Sequence, residues 1–242
     1  AAGFDAIVVG GPWMAGRLHA QGLPMPIPVP MGVDTATFSP ARRSSELRAA
    51  LLADCGLAPD ATLLLGVGRH HIQKLWPLAI DAVGRAQAAG ANIGFVQIGD
   101  GMARKAVEKA ARKVPHVVLK GHVSDRDTLA AMLASGDALL HASSSETYGL
   151  AVAEALAAGL PLVAPAGGAV LDLLSPDWSE RYTPHDPAAA AAAIGRLLHR
   201  DRAAMAAAAA NAGRTVVGDS NVHFERLFAT YARLASDHRV RA

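Results

Sequence analysis

The chain has 242 residues, 51% of them hydrophobic, and a formal net charge of +2. That size and apolar content suit one large domain, or one domain with part of another, around a buried core. A near-neutral balance without a dense Lys/Arg block argues against nucleic acid as a partner, the single Cys55 excludes an intrachain disulfide and fits a reducing compartment, and no apolar run is long enough to span a membrane.

Short runs rich in Val, Ile and Leu alternate with helical patterns along the chain. Ala6–Val9 reads as a strand opening a small strand–helix unit, and AAGFDAIVV without an initiating Met reads as the start of a piece cut from a longer protein. Pro24, Pro26, Pro28 and Pro30 then read as a linker into Met31-Gly32-Val33-Asp34. Strands are predicted at Thr62–Val67, Ile93–Ile98, His116–Leu119, Ala138–His141 and Leu160–Ala164. Helices are predicted at Leu78–Ala88, Met102–Lys113, Asp125–Ala134 and Leu150–Ala158. This alternation predicts an α/β fold, a Rossmann-like parallel sheet with helices on both faces. Gly159 and Pro161 are stop signals for the last of these helices. Asp186-Pro187 reads as an N-cap with Pro at the first position of a helix over Ala188–Leu198. The alanine tracts near Ala188 and Ala206 read as helix surface. Phe224, Leu227, Phe228, Tyr231 and Leu234 recur at helical spacing within Asn221–His238, which predicts a terminal helix packed on the body or on another lobe.

The candidate site residues lie just after predicted strands. Gly66-Val67-Gly68-Arg69, Gly99-Asp100-Gly101, Gly121-His122-Val123, the loop at Glu146 and Gly167-Gly168 each follow one, and ligands of open parallel sheets bind outside those strand ends. Glycines there let a ligand approach the backbone. Glu146 stands in a polar loop, and Glu154 lies eight positions later in a helix that is otherwise apolar. Between them Tyr148-Gly149-Leu150 forms the helix entry, where unpaired N–H groups and the helix dipole attract a phosphate. Carboxylates on either side accept hydrogen bonds from sugar hydroxyls, so the pattern describes a sugar nucleotide. Arg69 and Lys74 share one loop and suit a diphosphate. Other patterns read as ordinary structure. Asp125 and Asp127 read as helix capping, the glycine pairs lack a dinucleotide fingerprint, and the histidines lack zinc spacing.

These residues resemble the retaining GT-B glycosyltransferases, specifically family 4. Glu146-x7-Glu154 matches its E-x7-E signature, Gly68-Arg69 with Lys74 its GR-x4-K loop, and Gly99-Asp100-Gly101 its GDG turn. Met31-Gly32-Val33-Asp34 with Phe38 resembles its interdomain linker. The resemblance implies that Arg69 and Lys74 bind the donor diphosphate and stabilise the leaving group, and that Glu146 contacts the donor sugar. Glu154 would meet the ribose, Tyr148, Gly149 and Leu150 the phosphate and sugar, and His122 and Val123 the base. Gly68, Gly99, Asp100 and Gly101 would complete the donor site. It implies hexose transfer with retention from GDP-mannose or a UDP-sugar to a glycan or lipid acceptor, with no cofactor and no required metal.

Residues 1–30 would be the last strand–helix unit of an N-terminal acceptor lobe, 31–43 the linker, 44–218 the donor domain and 219–242 a helix returning toward the other lobe. The expected partners are the nucleotide sugar and that lobe, with peripheral membrane association through it, at the cytoplasmic face. Leu75, Met31 and Ala169–Asp172 depart from the family pattern, in which Gly, Asn and a Pro-Glu pair stand. A non-catalytic nucleotide-sugar module and a GT-B sugar-nucleotide epimerase remain alternative readings.

Overall fold

The computed structural model describes residues 4–241, with side chains up to Ser236. Residues 1–3 of the expected first unit and residue 242 of the last lie outside the described residues. A first small unit pairs β1 (Val8–Val9) in parallel with β2 (Ile27–Pro28) across helix α1 (Pro12–His19). The prolines read as a linker therefore include a strand. Pro28 is tolerated because this two-residue strand stands at an edge. Helix α2 (Ser45–Asp54), capped by Ser44, leads into the main body.

That body is a six-stranded parallel sheet in the order β5-β4-β3-β6-β7-β8. Its strands are β3 (Thr62–Val67), β4 (Ile93–Ile98), β5 (Val117–Gly121), β6 (Ala138–Leu140), β7 (Leu162–Pro165) and β8 (Ser179–Tyr182). Between them run α3 (Trp76–Ala88), α4 (Arg104–Ala111), α5 (Arg126–Ser135) and α6 (Leu150–Ala157). Helices α7 (Pro187–Leu198), α8 (Arg202–Ala212) and α9 (Ser220–Arg241) close the chain.

Successive strand residues feed opposite cores. Leu63 and Leu65 pack with Leu51, Leu133, Val152 and Leu156 on one face, while Leu64 packs with Trp76, Ile80, Val83 and Ile194 on the other. Strands buried on both faces read as continuous apolar runs. The sheet and its two helical layers thus follow the expectation. Strand β8 was not foreseen. It is an edge strand in which only Ser179 and Tyr182 are buried, so its four residues show neither an apolar run nor a period of two.

Several local signals act as their chemistry predicts. Asp125 accepts the Thr128 N–H at 2.9 Å and Asp186 accepts those of Ala188 and Ala189, each at 2.9 Å. Gly159, at φ 76°, ends α6 with Gly159 N–H on Leu156 O and Leu160 N–H on Ala155 O. The alanine tracts are not surface alone: Ala190, Ala193, Ala209 and Ala212 are fully buried, because small side chains let α7 and α8 lie close to the body.

Helix α9 begins where the chain crosses back to the segment after β2. Val33 donates to Gly218 O at 3.1 Å, Ser220 donates to Val33 O at 2.9 Å, and His223 Nδ1 meets Pro30 O at 2.9 Å. Phe224, Phe228 and Tyr231 are exposed, so the body does not cover that aromatic face.

Candidate functional site

Strand order reverses between β3 and β6: β4 and β5 continue to one side, β7 and β8 to the other. The loops leaving neighbouring strands at such a point diverge and leave a crevice. The loop after β3 carries Gly68, Arg69 and Lys74. The loop after β6 carries His141, Glu146, Tyr148 and Gly149. The crevice brings the side chains of Lys74, His141, Glu146 and Tyr148 together, while that of Arg69 lies outside their cavity.

Lys74 Nζ donates to Glu146 Oε1 at 2.6 Å, and both side chains are largely buried. Burial pushes the Glu146 carboxyl up, but the Lys74 hydrogen bond and the nearby charges more than offset it, so Glu146 is held below its usual range and ionised. His141 Nε2 lies 3.6 Å from the same oxygen. Burial drives the His141 pKa down to about 4, against the pull of Glu146, leaving a neutral ring at neutral pH. Lys74, His141, Glu146, Tyr148, Gly149 and Leu150, together with Met31 from the linker, line a cavity of about 280 Å³. A larger surface cavity of about 660 Å³ lies at the opposite strand ends, between Arg43, Asp137, Gly159 and Arg202, and contains none of the expected site residues.

Local geometry sets these positions. Lys74 ends a short 3-10 turn, Ile72–Lys74, and Leu75 follows in the left-handed region at φ 53°, ψ 35° to start α3. This is the position where glycine would fit without strain. Trp76 Nε1 donates to Arg69 O at 3.0 Å and pins the loop, while the Arg69 side chain is exposed and makes no ion pair or hydrogen bond among the described residues. Gly149 opens α6 at φ 100°, and no side chain caps that helix. Its first N–H groups are therefore available to an anion at the cavity wall.

The remaining expected residues stand outside this cavity. Glu154 faces Arg126, whose Nη2 lies 3.2 Å from Oε1. Burial raises the Glu154 carboxyl, opposed by Arg126. Asp100 accepts the Gly101 N–H at 2.7 Å and pairs with Arg104 at 2.7 Å, which lowers its carboxyl. Gly99 and Gly101 leave room for protein backbone: a Cβ there would meet Gly68 O at 2.1 Å and His70 O at 2.7 Å. Packing of the two strand-end loops already requires both glycines. His122 is exposed and Val123 half-buried against the core.

Sequence reasoning missed His141, Arg126 and Asp172. His141 ended an apolar run, where a polar residue was the available signal. Arg126 was hidden in a capping motif. Asp172, in the segment that departs from the family pattern, turns to the first small unit, where both carboxylate oxygens accept the Trp13 N–H at the start of α1, at 3.2 and 2.9 Å. Among the described residues no three His, Cys, Asp or Glu side chains converge as a metal site.

Residues 61–200, more than half of the chain, match the family described as Glycosyl transferases group 1. The chain belongs to the glycosyl transferases group 1 family. This member is 32% identical over 200 residues to the GDP-mannose-dependent alpha-(1-6)-phosphatidylinositol dimannoside mannosyltransferase of Mycobacterium tuberculosis, covering 83% of this chain and 51% of that protein. It is 33% identical over 172 residues to the sulfoquinovosyl transferase of Arabidopsis thaliana, covering 69% of this chain and 32% of that one. The chain thus spans about half the length, or less, of these relatives. In fold it is similar to HepE of Anabaena, solved with UDP and glucose, at a TM-score of 0.79 and 17% identity over 94% of this chain and 63% of that one. Sucrose-phosphate synthase of Thermosynechococcus elongatus gives 0.80 and 21% over 96% and 59%. At such identities the likeness establishes the Rossmann-like GT-B lobe alone.

Proposed function

We propose that this chain is the donor-binding half of a retaining glycosyltransferase that moves a hexose from a nucleoside-diphosphate sugar to a glycan or lipid acceptor. The observation that carries the reading is the Lys74–Glu146 contact at the point of strand reversal, beside the uncapped start of α6. A cation, an anion-accepting helix end and a hydroxyl-accepting carboxylate share one cavity there. Arg69 and Lys74 neutralise the departing diphosphate, Glu146 orients the sugar and Glu154 holds the ribose. Stabilising the leaving group with fixed charges supplies the main catalytic effect and requires no metal ion. His122 and Val123 border the base, and Gly68, Gly99, Asp100 and Gly101 shape the loops around it. GDP-mannose is the favoured donor, in keeping with the GDP-mannose-dependent enzymes among the relatives.

Under the same proposal, residues 1–30 belong to an acceptor lobe joined through 31–43, and the aromatic face of 219–242 meets that lobe. The acceptor is brought there from the cytoplasmic face of a membrane. Residues 1–242 alone then bind donor without transferring sugar, because positioning the acceptor supplies much of the rate.

A thermal-shift screen of UDP, GDP and ADP with their sugars tests the donor class, since a ligand of the native state raises its stability. Calorimetry then separates the glutamates. Glu154→Gln weakens the nucleotide with or without sugar, and Glu146→Gln weakens mainly the intact sugar nucleotide. The reverse pattern would overturn the two roles.

A further inference from the structure

Strand β4 reads Ile-Gly-Phe-Val-Gln-Ile, and its one polar side chain, Gln97, is fully buried. A second buried polar side chain, His70, sits in the loop after β3, directly behind Arg69. A buried polar group costs stability unless it is bonded, and an apolar pair would fill this place without that demand. Here the two are bonded to each other, His70 Nε2 to Gln97 Oε1 at 2.6 Å, and Gln97 Nε2 donates to Gly68 O at 3.0 Å. The Gly68 carbonyl can only accept, so the Gln97 amide turns its nitrogen to Gly68 and its oxygen to His70, and the imidazole carries a proton on Nε2. His70 Nδ1 has no hydrogen-bond partner among the described residues and stands 3.8 Å from Asp100 Oδ1, beyond bonding range, so the Nε2 bond alone orients the ring.

We infer that His70 and Gln97 are positioning residues for Arg69: their side chains form a buried clamp that starts from the residue after Arg69 and closes on the carbonyl of the residue before it. Backbone bonds hold the rest of the loop. Gly68 N–H donates to Ile98 O at 3.0 Å, His70 N–H donates to Asp100 O at 2.8 Å, and His70 O accepts the Ala103 N–H at 2.8 Å. Trp76 Nε1 holds Arg69 O at 3.0 Å. Gly68 O accepts no backbone N–H among the described residues, so the orientation of the Gly68–Arg69 peptide depends on Gln97, and Gln97 depends on His70. The backbone of Arg69 is thereby fixed at the strand end, and its exposed side chain is left to meet an anion. A guanidinium carried on a fixed backbone gives up less freedom when it binds. That the anion is a diphosphate rests on the donor-site reading, whereas the clamp is a property of the ligand-free chain.

Amide exchange of the full chain tests the clamp without any ligand. Glutamine places an amide nitrogen at the reach of imidazole Nε2, and asparagine at that of Nδ1. His70→Gln should therefore keep slow exchange at Gly68 and residue 70, while His70→Asn should speed it there and leave Phe95, inside β4, unmoved. The double variant His70→Leu/Gln97→Met replaces both partners with apolar side chains, a change that can be nearly neutral in stability. It should melt near the wild type and still exchange fast at Gly68. Equal protection in His70→Gln and His70→Asn, or an unmoved Gly68 amide in the double variant, would overturn the inference. Calorimetry with inorganic pyrophosphate then tests what the clamp serves. His70→Asn and the double variant should each lose about threefold or more in affinity, His70→Gln should restore most of it, and none of these changes should matter further in an Arg69→Ala background. Full affinity in both His70→Asn and the double variant, or an undiminished loss without Arg69, would also overturn it. Failure of the wild type to bind pyrophosphate, UDP, GDP or ADP would overturn the donor-site reading instead, while exchange at Gly68 still decides the clamp.

Discussion

An alanine at position 99 has nowhere to put its methyl group. Gly99 sits at φ 144°, and a Cβ there would stand 2.1 Å from Gly68 O and 2.8 Å from Gly68 C. Holding an L-residue in that backbone region costs about 1–3 kcal/mol. The contact with Gly68 must also open by about 1 Å to reach ordinary separation. That movement strains three hydrogen bonds at the meeting of β3, β4 and β5: Gly68 N–H to Ile98 O at 3.0 Å, Gly99 N–H to Gly121 O at 2.7 Å, and Gln97 Nε2 to Gly68 O at 3.0 Å. Losing two of them adds about 2 kcal/mol, so Gly99→Ala should destabilise the chain by about 3–5 kcal/mol. Gly121→Ala is the control. It has φ 75° but nothing within 4 Å of its Cβ, so left-handed strain alone should cost it about 1 kcal/mol. Urea unfolding of both variants reads the difference. Because Arg69 follows Gly68 directly, Gly99→Ala should also weaken diphosphate binding, although residue 99 is outside the cavity. Equal stability of the two variants, or full diphosphate affinity in a folded Gly99→Ala, would refute the reasoning.

Leu75→Gly should be more stable than Leu75→Ala by about 1 kcal/mol in the same unfolding assay, the reverse of the order in a helix interior, because only glycine relieves the strain at φ 53°. Burial raises the Glu154 carboxyl above its ordinary 4.5, against Arg126. A pKa raised on folding adds stability below the unfolded value and loses it as pH rises through the folded one. Glu154→Gln should therefore melt above the wild type at pH 7, and the two should converge below pH 4.5; a wild type that gains on the variant as pH rises would contradict this. Asp172→Ala removes the acceptor for the Trp13 N–H and should cost about 1 kcal/mol, with faster amide exchange confined at first to α1.

The buried parts of the sheet were legible because parallel strands covered on both faces are continuous apolar runs, and β3, β4, β6 and β7 each announce themselves that way. Edge strand β5 was read from its Val-Val-Leu. Edge strands β8 and β2 were not read. The Ser-Glu-Arg-Tyr of β8 has a single apolar side chain, and Ile27-Pro28 hides among prolines. Helix α2 buries only Leu51 and Leu52, too few to set a period. At the site, the strand-end loops could be placed from their glycines and from Glu146 and Glu154. What those glycines face could not: Gly99 and Gly101 abut a neighbouring loop, which depends on the meeting of two chain segments 31 residues apart, roughly the repeat of a strand–helix–strand unit. Long-range pairings escaped for the same reason. Nothing local to His141, Arg126 or Asp172 names Glu146, Glu154 or Trp13 as its partner.

The most direct test of the donor site is calorimetry of a nucleoside diphosphate and its parent nucleoside against the wild type, Arg69→Ala and Lys74→Ala. The geometry predicts that the wild type binds at least one of UDP, GDP or ADP. Both variants should lose about tenfold or more of that affinity, as expected for a charge-assisted contact worth about 1.4 kcal/mol or more, while nucleoside binding is unchanged. Equal losses for nucleoside and diphosphate, or no binding of any nucleoside diphosphate, would contradict a phosphate site at the start of α6.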